Sequence, residues 1–405
     1  MRIAVITQSR GRVGGVETYL EAVLPALARN HQVALCTANS NVTSRGAIKV
    51  PAGVALFDLD GHGEDGIGRL RAWHPDMVFA HGLEDEALET AALQLAPAVV
   101  VEHTYHGTCI SSAKTMSRPN TQACERVFGP ACLALYFPRG CGGSSPLTMA
   151  RLYRAQSVRL RALKNAAAVI TLSSHMANEM LRNGVGRDRV HVVPPFVTAE
   201  PGMSAKPSPD GTCRLLYLGR LERLKGVDSL LRALSAVAAR LNRPVRLAVA
   251  GDGGEREALT GLATDVCRKD PRVSIQFLGW LNDSARADLF ADADALVVPS
   301  LWPEPFGLVG LEAAAAGVPA VAFPVGGIPE WLHDGETGCL ALPGSDRAAA
   351  LADAIVRCVG SEQRHARLAE GARRAAARAT LELHVAGLEQ VFNRAVPALC
   401  ESGAL

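Results

Sequence analysis

Residues 302–312 read Trp-Pro-Glu-Pro-Phe-Gly-Leu-Val-Gly-Leu-Glu and come just after a short apolar run, Ala295–Pro299, that is typical of a buried strand. Pro303 and Pro305 stiffen the loop, and a helix is predicted to begin near Gly307. The free N–H groups and the dipole at such a helix start favour an anion. The stretch therefore predicts a strand–loop–helix unit with a ligand site at the carboxyl end of the strand.

Two carboxylates belong to the same stretch, Glu304 on the loop and Glu312 two turns into the predicted helix. Both would repel a phosphate, so sugar or ribose hydroxyl groups are the partners that suit them. The alternative interpretation is a capped surface loop with two solvated acids.

Strand patterns alternate with helical patterns along the chain, which predicts an α/β fold with parallel sheets covered on both faces. The alternation stops at Ala199–Gly211, where Pro, Gly, Ser and Ala are typical of a linker. We expect two doubly wound, Rossmann-like domains, residues 1–204 and 205–380, facing each other across a ligand cleft. A last helix within residues 381–405 is predicted to pack back on the first domain. The predicted strands are Ile3–Thr7, His31–Thr37, Asp76–Ala80, Ala98–Glu102, Ala168–Leu172, Arg214–Leu218, Val245–Ala250, Val273–Leu278, Ala295–Pro299 and Ala320–Phe323.

The composition is that of an ordinary globular protein, with 405 residues, 48% hydrophobic and 20% charged. A formal net charge of +2 gives no general attraction to nucleic acid. The sequence contains neither a secretory signal pattern nor 18 consecutive apolar residues, so the expected location is cytoplasmic.

A second motif, Gly219–Gly226, also follows a predicted strand. Gly219 permits a tight turn, and Arg220 and Lys225 could clamp a diphosphate, arginine by its fork and lysine as a point charge. The alternative is that both are loop charges in solvent.

With the spacing E-P-F-G-x-x-x-x-E, Glu304 and Glu312 resemble the signature of the family 4 glycosyltransferases, which have the GT-B fold. The resemblance covers nearly the whole chain, and its segments are specific as a set. They are Gly14–Glu17, Gly219–Gly226, Gly251–Gly253, Phe277–Gly279, Ala293–Asp294 with Pro299–Ser300, and Gly326–Glu330.

This resemblance implies a retaining enzyme that transfers a hexosyl or N-acetylhexosaminyl group from a nucleotide diphosphate sugar, with UDP-sugars favoured. Arg220 and Lys225 would bind the diphosphate. Glu312 would hold the ribose hydroxyls, and Glu304 the donor sugar. The other donor-binding positions that the resemblance implies are Gly15, Gly219, Phe306, Gly307, Leu308 and Ile328.

His103 follows the predicted strand Ala98–Glu102 and resembles a family histidine that points into the cleft near the transferred sugar. His106 is the nearby competitor, and a neutral core histidine is the alternative. The departing diphosphate oxygen would take the acceptor's proton, so neither a protein nucleophile nor a divalent metal is expected for catalysis. Asp292-Ala293-Asp294 spells D-x-D but precedes a buried strand, and we interpret it as structural.

Four of the ten cysteines lie in a segment of about residues 107–146 that breaks the strand–helix alternation and is predicted to be an insertion over the acceptor side. Four thiols in this span could hold a structural zinc ion, although they lack paired C-x-x-C spacing. Free thiols and disulfides are the alternatives. These cysteines are Cys109, Cys124, Cys132 and Cys141.

A basic, amphipathic helix is predicted after the insertion. It could contact an anionic membrane or a lipid-phosphate acceptor, which would place the protein at the inner face of the membrane. The solvated face of a packed helix is the alternative. Its basic residues are Arg151, Arg154, Arg159, Arg161 and Lys164.

Several other functions compete with sugar transfer. Another GT-B enzyme, such as a sugar phosphorylase or a nucleotide-sugar epimerase, would share the fold. A nicotinamide-dependent oxidoreductase is disfavoured because Gly251-Asp252-Gly253 is followed by Arg256, where G-x-G-x-x-G requires its third glycine. A non-catalytic sugar-binding protein is disfavoured because the sequence has both the acidic pair, Glu304 and Glu312, and a basic pair, Arg220 and Lys225.

Overall fold

The computed structural model describes residues 1–11, 14–39, 46–59, 65–197, 211–342, 344 and 346–396, without the side chains of Asp283 and Ser284. The predicted linker Ala199–Gly211 lies outside the described residues except for Gly211. The end of the predicted last helix lies outside them too.

Strands and helices alternate through most of the chain. The strands are β1 (Arg2–Ser9), β2 (Gln32–Asn39), β3 (Ala55–Asp58), β4 (Met77–Ala80), β5 (Ala98–Glu102), β6 (Thr115–Met116), β7 (Gln122–Ala123), β8 (Ala168–Thr171), β9 (Val190–Val192), β10 (Cys213–Leu218), β11 (Val245–Ala250), β12 (Val273–Gly279), β13 (Ala295–Val298), β14 (Ala320–Ala322) and β15 (Gly338–Leu340). The α-helices are α1 (Gly15–Leu27), α2 (Gly66–Ala72), α3 (Glu86–Leu93), α4 (Ala131–Leu135), α5 (Pro146–Asn165), α6 (Ser174–Arg182), α7 (Val227–Leu241), α8 (Arg256–Lys269), α9 (Asp283–Asp292), α10 (Leu308–Ala315), α11 (Arg347–Val359), α12 (Glu362–Ala376) and α13 (Leu381–Ala395). Short 3-10 helices occur at Arg223–Lys225 and Ile328–Glu330.

The chain divides into two compact units. Unit 1 comprises Met1–Asn120, Cys124–Pro195 and the segment from Leu381 onward. Its sheet has the strand order β3-β2-β1-β4-β5-β8-β9, and each strand is parallel to its neighbours. Because the order reverses at β1, right-handed crossovers place helices on both faces of the sheet.

Unit 2 comprises Thr121–Ala123 and Phe196–Thr380. Its parallel sheet has the order β12-β11-β10-β13-β14-β15, which also starts in the middle and reverses between β10 and β13. The prediction of an α/β fold with two doubly wound parallel sheets is confirmed.

The C-terminal helix α13 is part of unit 1 although it is remote in sequence from the rest of that unit. Phe392 of this helix packs edge-on against Phe79 of β4, with ring centroids 5.1 Å apart. Both rings are fully buried, so α13 completes the core beside β4.

Within the described ranges, every helix falls short of the length and apolar character that a bilayer-spanning segment requires.

Candidate functional site

Lys225 and Glu304 form an ion pair at the edge of the unit 2 sheet where the strands end. Lys225 Nζ donates to Glu304 Oε1 at 2.7 Å, and both side chains are largely buried, with 15% and 10% of their surface exposed. The ammonium also lies 4.6 Å from the ring centre of Trp302, within cation–π range. The lysine is therefore held in one position and is not a mobile surface charge.

The backbone after Lys225 turns sharply at Gly226, which has φ +67° and caps the start of α7. A β-carbon on Gly226 would lie 2.1 Å from the carbonyl oxygen of Pro299. Hence a glycine is required where the lysine loop crosses the end of β13.

A Gly226→Ala variant is expected to lose about 2–4 kcal/mol of unfolding free energy, because the alanine would be strained at this φ and would displace a main-chain carbonyl. The measurement is denaturant unfolding. The matched control is Gly261→Ala in α8, where a β-carbon meets open space and should stabilise the helix by about 0.5–1 kcal/mol. Equal stability of the two variants would show that the loop and the strand end are not in close contact at this glycine.

Helix α10 begins at the predicted place, with Gly307 as its N-cap at φ +91°. The carbonyl oxygen of Phe306 accepts a hydrogen bond of 2.7 Å from Trp331 Nε1, which fixes the loop before the helix. The following residue, Leu308, opens the helix. In this first turn the Gly310 N–H donates to the Gly307 carbonyl oxygen at 2.9 Å, whereas the N–H groups of Leu308 and Val309 precede that bond and favour a negative charge.

Glu312 lies in the second turn of α10 and forms an ion pair with Arg286 of α9. The contact uses Oε2 of the glutamate, and both side chains are partly exposed. Glu304 and Glu312 thus each have a cationic partner, and this offsets the repulsion toward a phosphate that the sequence suggested.

Arg220 differs from Lys225 because its side chain is mostly exposed and pairs with Glu222 at 2.7 Å. Its backbone is fixed, since the Tyr217 hydroxyl donates to the Arg220 carbonyl oxygen at 2.8 Å. Burial, then the charges of Glu304 and Glu222, raise the pKa of Tyr217, so the phenol remains a neutral donor. Arg220 is therefore the more exposed of the two predicted diphosphate ligands.

Gly219 and Ile328 have structural surroundings that the sequence does not reveal. The main chain of Gly219 lies against Gly251, where an added β-carbon would be 1.9 Å from the Gly219 carbonyl oxygen. Ile328, one of the predicted donor-binding residues, is fully buried at the start of a 3-10 helix, so its side chain could contact a donor only if the residues that cover it moved.

In unit 1, Gly15 is the first residue of α1, and the preceding Gly14 N–H donates to Glu17 Oε2 at 2.7 Å. His103 follows β5 as predicted. Its Nε2 lies 2.9 Å from Nδ1 of His81, which follows the neighbouring strand β4. Burial, then the charge of His384, lower the pKa of His103 to about 4, so its ring is neutral at pH 7.

The competing residue His106 is also held neutral. Burial, then the charge of Arg159, lower the pKa of His106 to about 4. In the described part of the chain no hydrogen bond links its ring to His103.

The four cysteines of the insertion are free thiols, with Cys109 buried and the others half-buried. Burial, followed by the charges of the other three thiols, raises the pKa of Cys141 to about 11. Among the residues that the structure describes, no three His, Cys, Asp or Glu side chains are grouped as a metal ion requires. A zinc ion bound by Cys109, Cys124, Cys132 and Cys141 stays a prediction.

The predicted basic helix is α5, and its Arg159 forms contacts inside unit 1. Arg159 pairs with Glu89 at 3.1 Å and donates to the Leu83 carbonyl oxygen at 2.6 Å. The other four basic residues of α5 are exposed, namely Arg151, Arg154, Arg161 and Lys164.

The D-x-D pair has a structural partner. Arg214 at the start of β10 contacts Asp292 and Asp294, each at 2.9 Å. Its backbone N–H also donates to Asp294 at 2.7 Å. These aspartates therefore anchor the beginning of β10.

Sequence reasoning missed two residues of these sites, His81 and Arg286. His81 was detectable, because it directly follows a strand whose neighbour in a parallel sheet carries His103. No local pattern indicates Arg286, which reaches Glu312 from a helix in another part of the sequence.

Two sequence families match the chain. Residues 203–375 match the family described as Glycosyl transferases group 1, and residues 13–200 match Glycosyltransferase Family 4. Glycogen synthase of Mycobacterium tuberculosis is 30% identical over 321 residues, which cover 75% of this chain and 65% of that protein. The D-inositol 3-phosphate glycosyltransferase of Xylanimonas cellulosilytica is 34% identical over 248 residues, which cover 56% of this chain and 57% of that protein. The chain thus spans less than two thirds of the length of these relatives.

Solved structures resemble the chain over almost its whole length. Anabaena HepE in complex with UDP and glucose is 20% identical, with a TM-score of 0.69, and the match covers 97% of this chain and 100% of that one. Sucrose-phosphate synthase from Thermosynechococcus elongatus is 21% identical, with a TM-score of 0.72, covering 98% and 99%. At these identities the likeness establishes the fold, which is GT-B. Because the two family matches together include most of the sequence, the chain belongs to the family 4 glycosyltransferases of GT-B fold.

Proposed function

We propose that the protein is a retaining glycosyltransferase that moves a hexosyl or N-acetylhexosaminyl group from a UDP-sugar to an acceptor hydroxyl. The observation that carries the proposal is the buried Lys225–Glu304 pair at 2.7 Å, at the strand ends of unit 2. A cation and a carboxylate held side by side suit a donor whose phosphate lies beside its sugar. HepE, which shares the fold, was solved with UDP-glucose.

In the proposed reaction, Lys225 and the first-turn N–H groups of α10 stabilise the negative charge that develops on the departing diphosphate. Arg220 swings from Glu222 to the outer phosphate as the donor binds. Glu304 accepts hydrogen bonds from sugar hydroxyls, and Glu312 from the ribose. The diphosphate oxygen takes the acceptor's proton. Because Lys225 and Arg220 stabilise the charge on the departing diphosphate, no divalent metal is required.

The acceptor is proposed to be a glycan, a lipid-linked sugar or a small molecule, bound by unit 1. Peripheral contact with an anionic membrane is part of this proposal. It is supported by α5, where Leu147 is 84% exposed near the exposed arginines of the same helix. Arg159 is excluded from that contact by its pairing with Glu89.

The experiment is a thermal-shift screen of UDP, GDP and their glucose, N-acetylglucosamine and mannose conjugates, followed by turnover with the best binder. A ligand at about 100 times its Kd should add about 2.7 kcal/mol of stability and raise Tm by about 3–7 °C. Donor consumption is then measured with and without candidate acceptors, in EDTA.

A UDP-sugar that stabilises the protein and is consumed faster with an acceptor, with the anomeric configuration kept, would support the proposal. Phosphate-dependent cleavage would instead indicate a phosphorylase, and conversion of the free nucleotide sugar an epimerase. If no nucleotide or nucleotide sugar raises Tm, the proposed donor site is wrong.

A further inference from the structure

His81 and His103 form a buried pair in unit 1 that is continuous with the C-terminal helix. Their rings are stacked, with centroids 5.2 Å apart and planes 22° from parallel. Phe79 packs edge-on against His81 at 4.5 Å. Phe392 of α13 in turn covers Phe79, so His81 has little room to turn.

Tyr19 closes the other side of the pair, and its orientation is fixed by hydrogen bonds. His384 Nδ1 lies 2.7 Å from the Pro194 carbonyl oxygen, which can only accept, so this nitrogen carries the proton. His384 Nε2 of the neutral ring then accepts from the Tyr19 hydroxyl at 2.8 Å. The Tyr19 ring contacts both His81 and His103, with centroids 5.4 and 6.0 Å apart.

The contact between the two histidines holds one proton, because both rings are neutral at pH 7. Burial, then the charges of His103 and His384, lower the pKa of His81. The contact joins His81 Nδ1 to His103 Nε2 at 2.9 Å, so one of these nitrogens donates and the other accepts.

The surroundings of His81 decide which nitrogen donates. His81 Nε2 is buried and has no hydrogen-bond partner among the described residues. If His103 donated, His81 would carry its proton on Nε2 and would bury an unpaired N–H group, which is rare in folded proteins. If His81 donates from Nδ1, only a lone pair is left unpaired.

We infer that His81 is a positioning residue that donates from Nδ1 to His103 Nε2 and fixes His103 as the tautomer protonated on Nδ1. His103 then meets the substrate as a hydrogen-bond donor to an oxygen atom and not as a general base. This inference rests on the proposed function and on the expectation from the sequence that His103 lies near the transferred sugar. It agrees with a mechanism in which the diphosphate takes the acceptor's proton.

The tautomers are read directly from long-range ¹H–¹⁵N correlation spectra of the full chain labelled with ¹⁵N-histidine. The His103 signals are identified by their loss in a His103→Gln variant. In the wild type we expect protonated Nδ1 and unprotonated Nε2. In His81→Phe, which keeps the ring shape without the donor, His103 should shift toward the Nε2-protonated form that free histidine prefers. In His81→Asn, whose amide N–H replaces Nδ1–H, the wild-type pattern should return.

The kinetic arm uses UDP-glucose, or the nucleotide sugar selected by the screen. His81→Phe should lower kcat by roughly tenfold to hundredfold with less change in KM, since a misplaced contact costs about this much. His81→Asn should recover most of the loss, and His333→Phe, an exposed histidine, should change nothing.

A wild-type His103 protonated on Nε2, or a His103 spectrum unchanged in a folded His81→Phe variant, would overturn the inference. An unchanged kcat in that variant would overturn the positioning role. If no nucleotide sugar is turned over, the proposed function fails while the spectra still decide the tautomer.

Discussion

A Lys225→Ala variant is expected to lower kcat for sugar transfer by a factor of about 10²–10³, the usual effect of removing one preorganised group that stabilises charge in the transition state. Lys225 is suited to this role because Glu304 at 2.7 Å and the Trp302 ring hold its ammonium in place before any donor arrives. The measurement is the initial rate of transfer at saturating donor. Lys269→Ala, which removes an exposed lysine at the end of α8, is the matched control and should keep full activity.

The lysine also contributes to stability, so the two effects must be separated. Its removal leaves the largely buried Glu304 carboxylate unpaired, at a cost of about 1–3 kcal/mol. A Lys225→Ala/Glu304→Gln double variant removes that charge and should recover most of the stability while staying inactive. If the double variant regains transfer activity, Lys225 acts only by neutralising Glu304, and its role at the diphosphate is wrong.

The buried strands were predictable because their signal is local. A short apolar run between turn residues defines β5 and β11 to the residue, at Ala98–Glu102 and Val245–Ala250. The short strands β3 and β9 were not predicted because their three or four residues are half-buried or exposed and carry little hydrophobic pattern. The strand β15 is mostly buried, but its three residues are too few to form a pattern. The start of α10 was predictable for the same reason. Pro303, Pro305 and Gly307 mark a loop, and a helical pattern of apolar residues follows them.

What the sequence could not supply was the partner of each charged group. Glu304 is 79 residues from Lys225, and Arg286 reaches Glu312 from a different helix. Such pairings depend on which strands are neighbours in the sheet, and the hydrophobic pattern along the sequence does not give the strand order. The sequence therefore named candidate site residues but not the pairing of Glu304 with Lys225 or of Glu312 with Arg286. Pairing changes their chemistry, because each carboxylate has one oxygen in contact with a cation, leaving the other for a ligand hydroxyl.

The pairing of Glu312 leads to the second large expected effect. Its Oε2 contacts Arg286, which leaves Oε1 to accept from ribose hydroxyls. A Glu312→Ala variant should raise the donor KM and the Kd of UDP by about 10–100-fold, because hydrogen bonds to a charged acceptor contribute about 1.5–3 kcal/mol. Alanine is a strong helix former, so α10 should remain intact. Glu370→Ala, which removes an exposed glutamate of α12, should leave Kd unchanged.

The ribose itself provides the sharper test. Wild-type protein should bind UDP more tightly than 2′-deoxy-UDP or 3′-deoxy-UDP in titration calorimetry, whereas Glu312→Ala should bind all three equally weakly. Arg286→Ala separates the two members of the pair, because it frees Glu312 without removing its oxygens and should preserve the discrimination between UDP and the deoxy analogues. Undiminished discrimination in Glu312→Ala would place the ribose elsewhere. If only Arg286→Ala loses the discrimination between UDP and the deoxy analogues, the arginine and not the glutamate contacts the ribose hydroxyls.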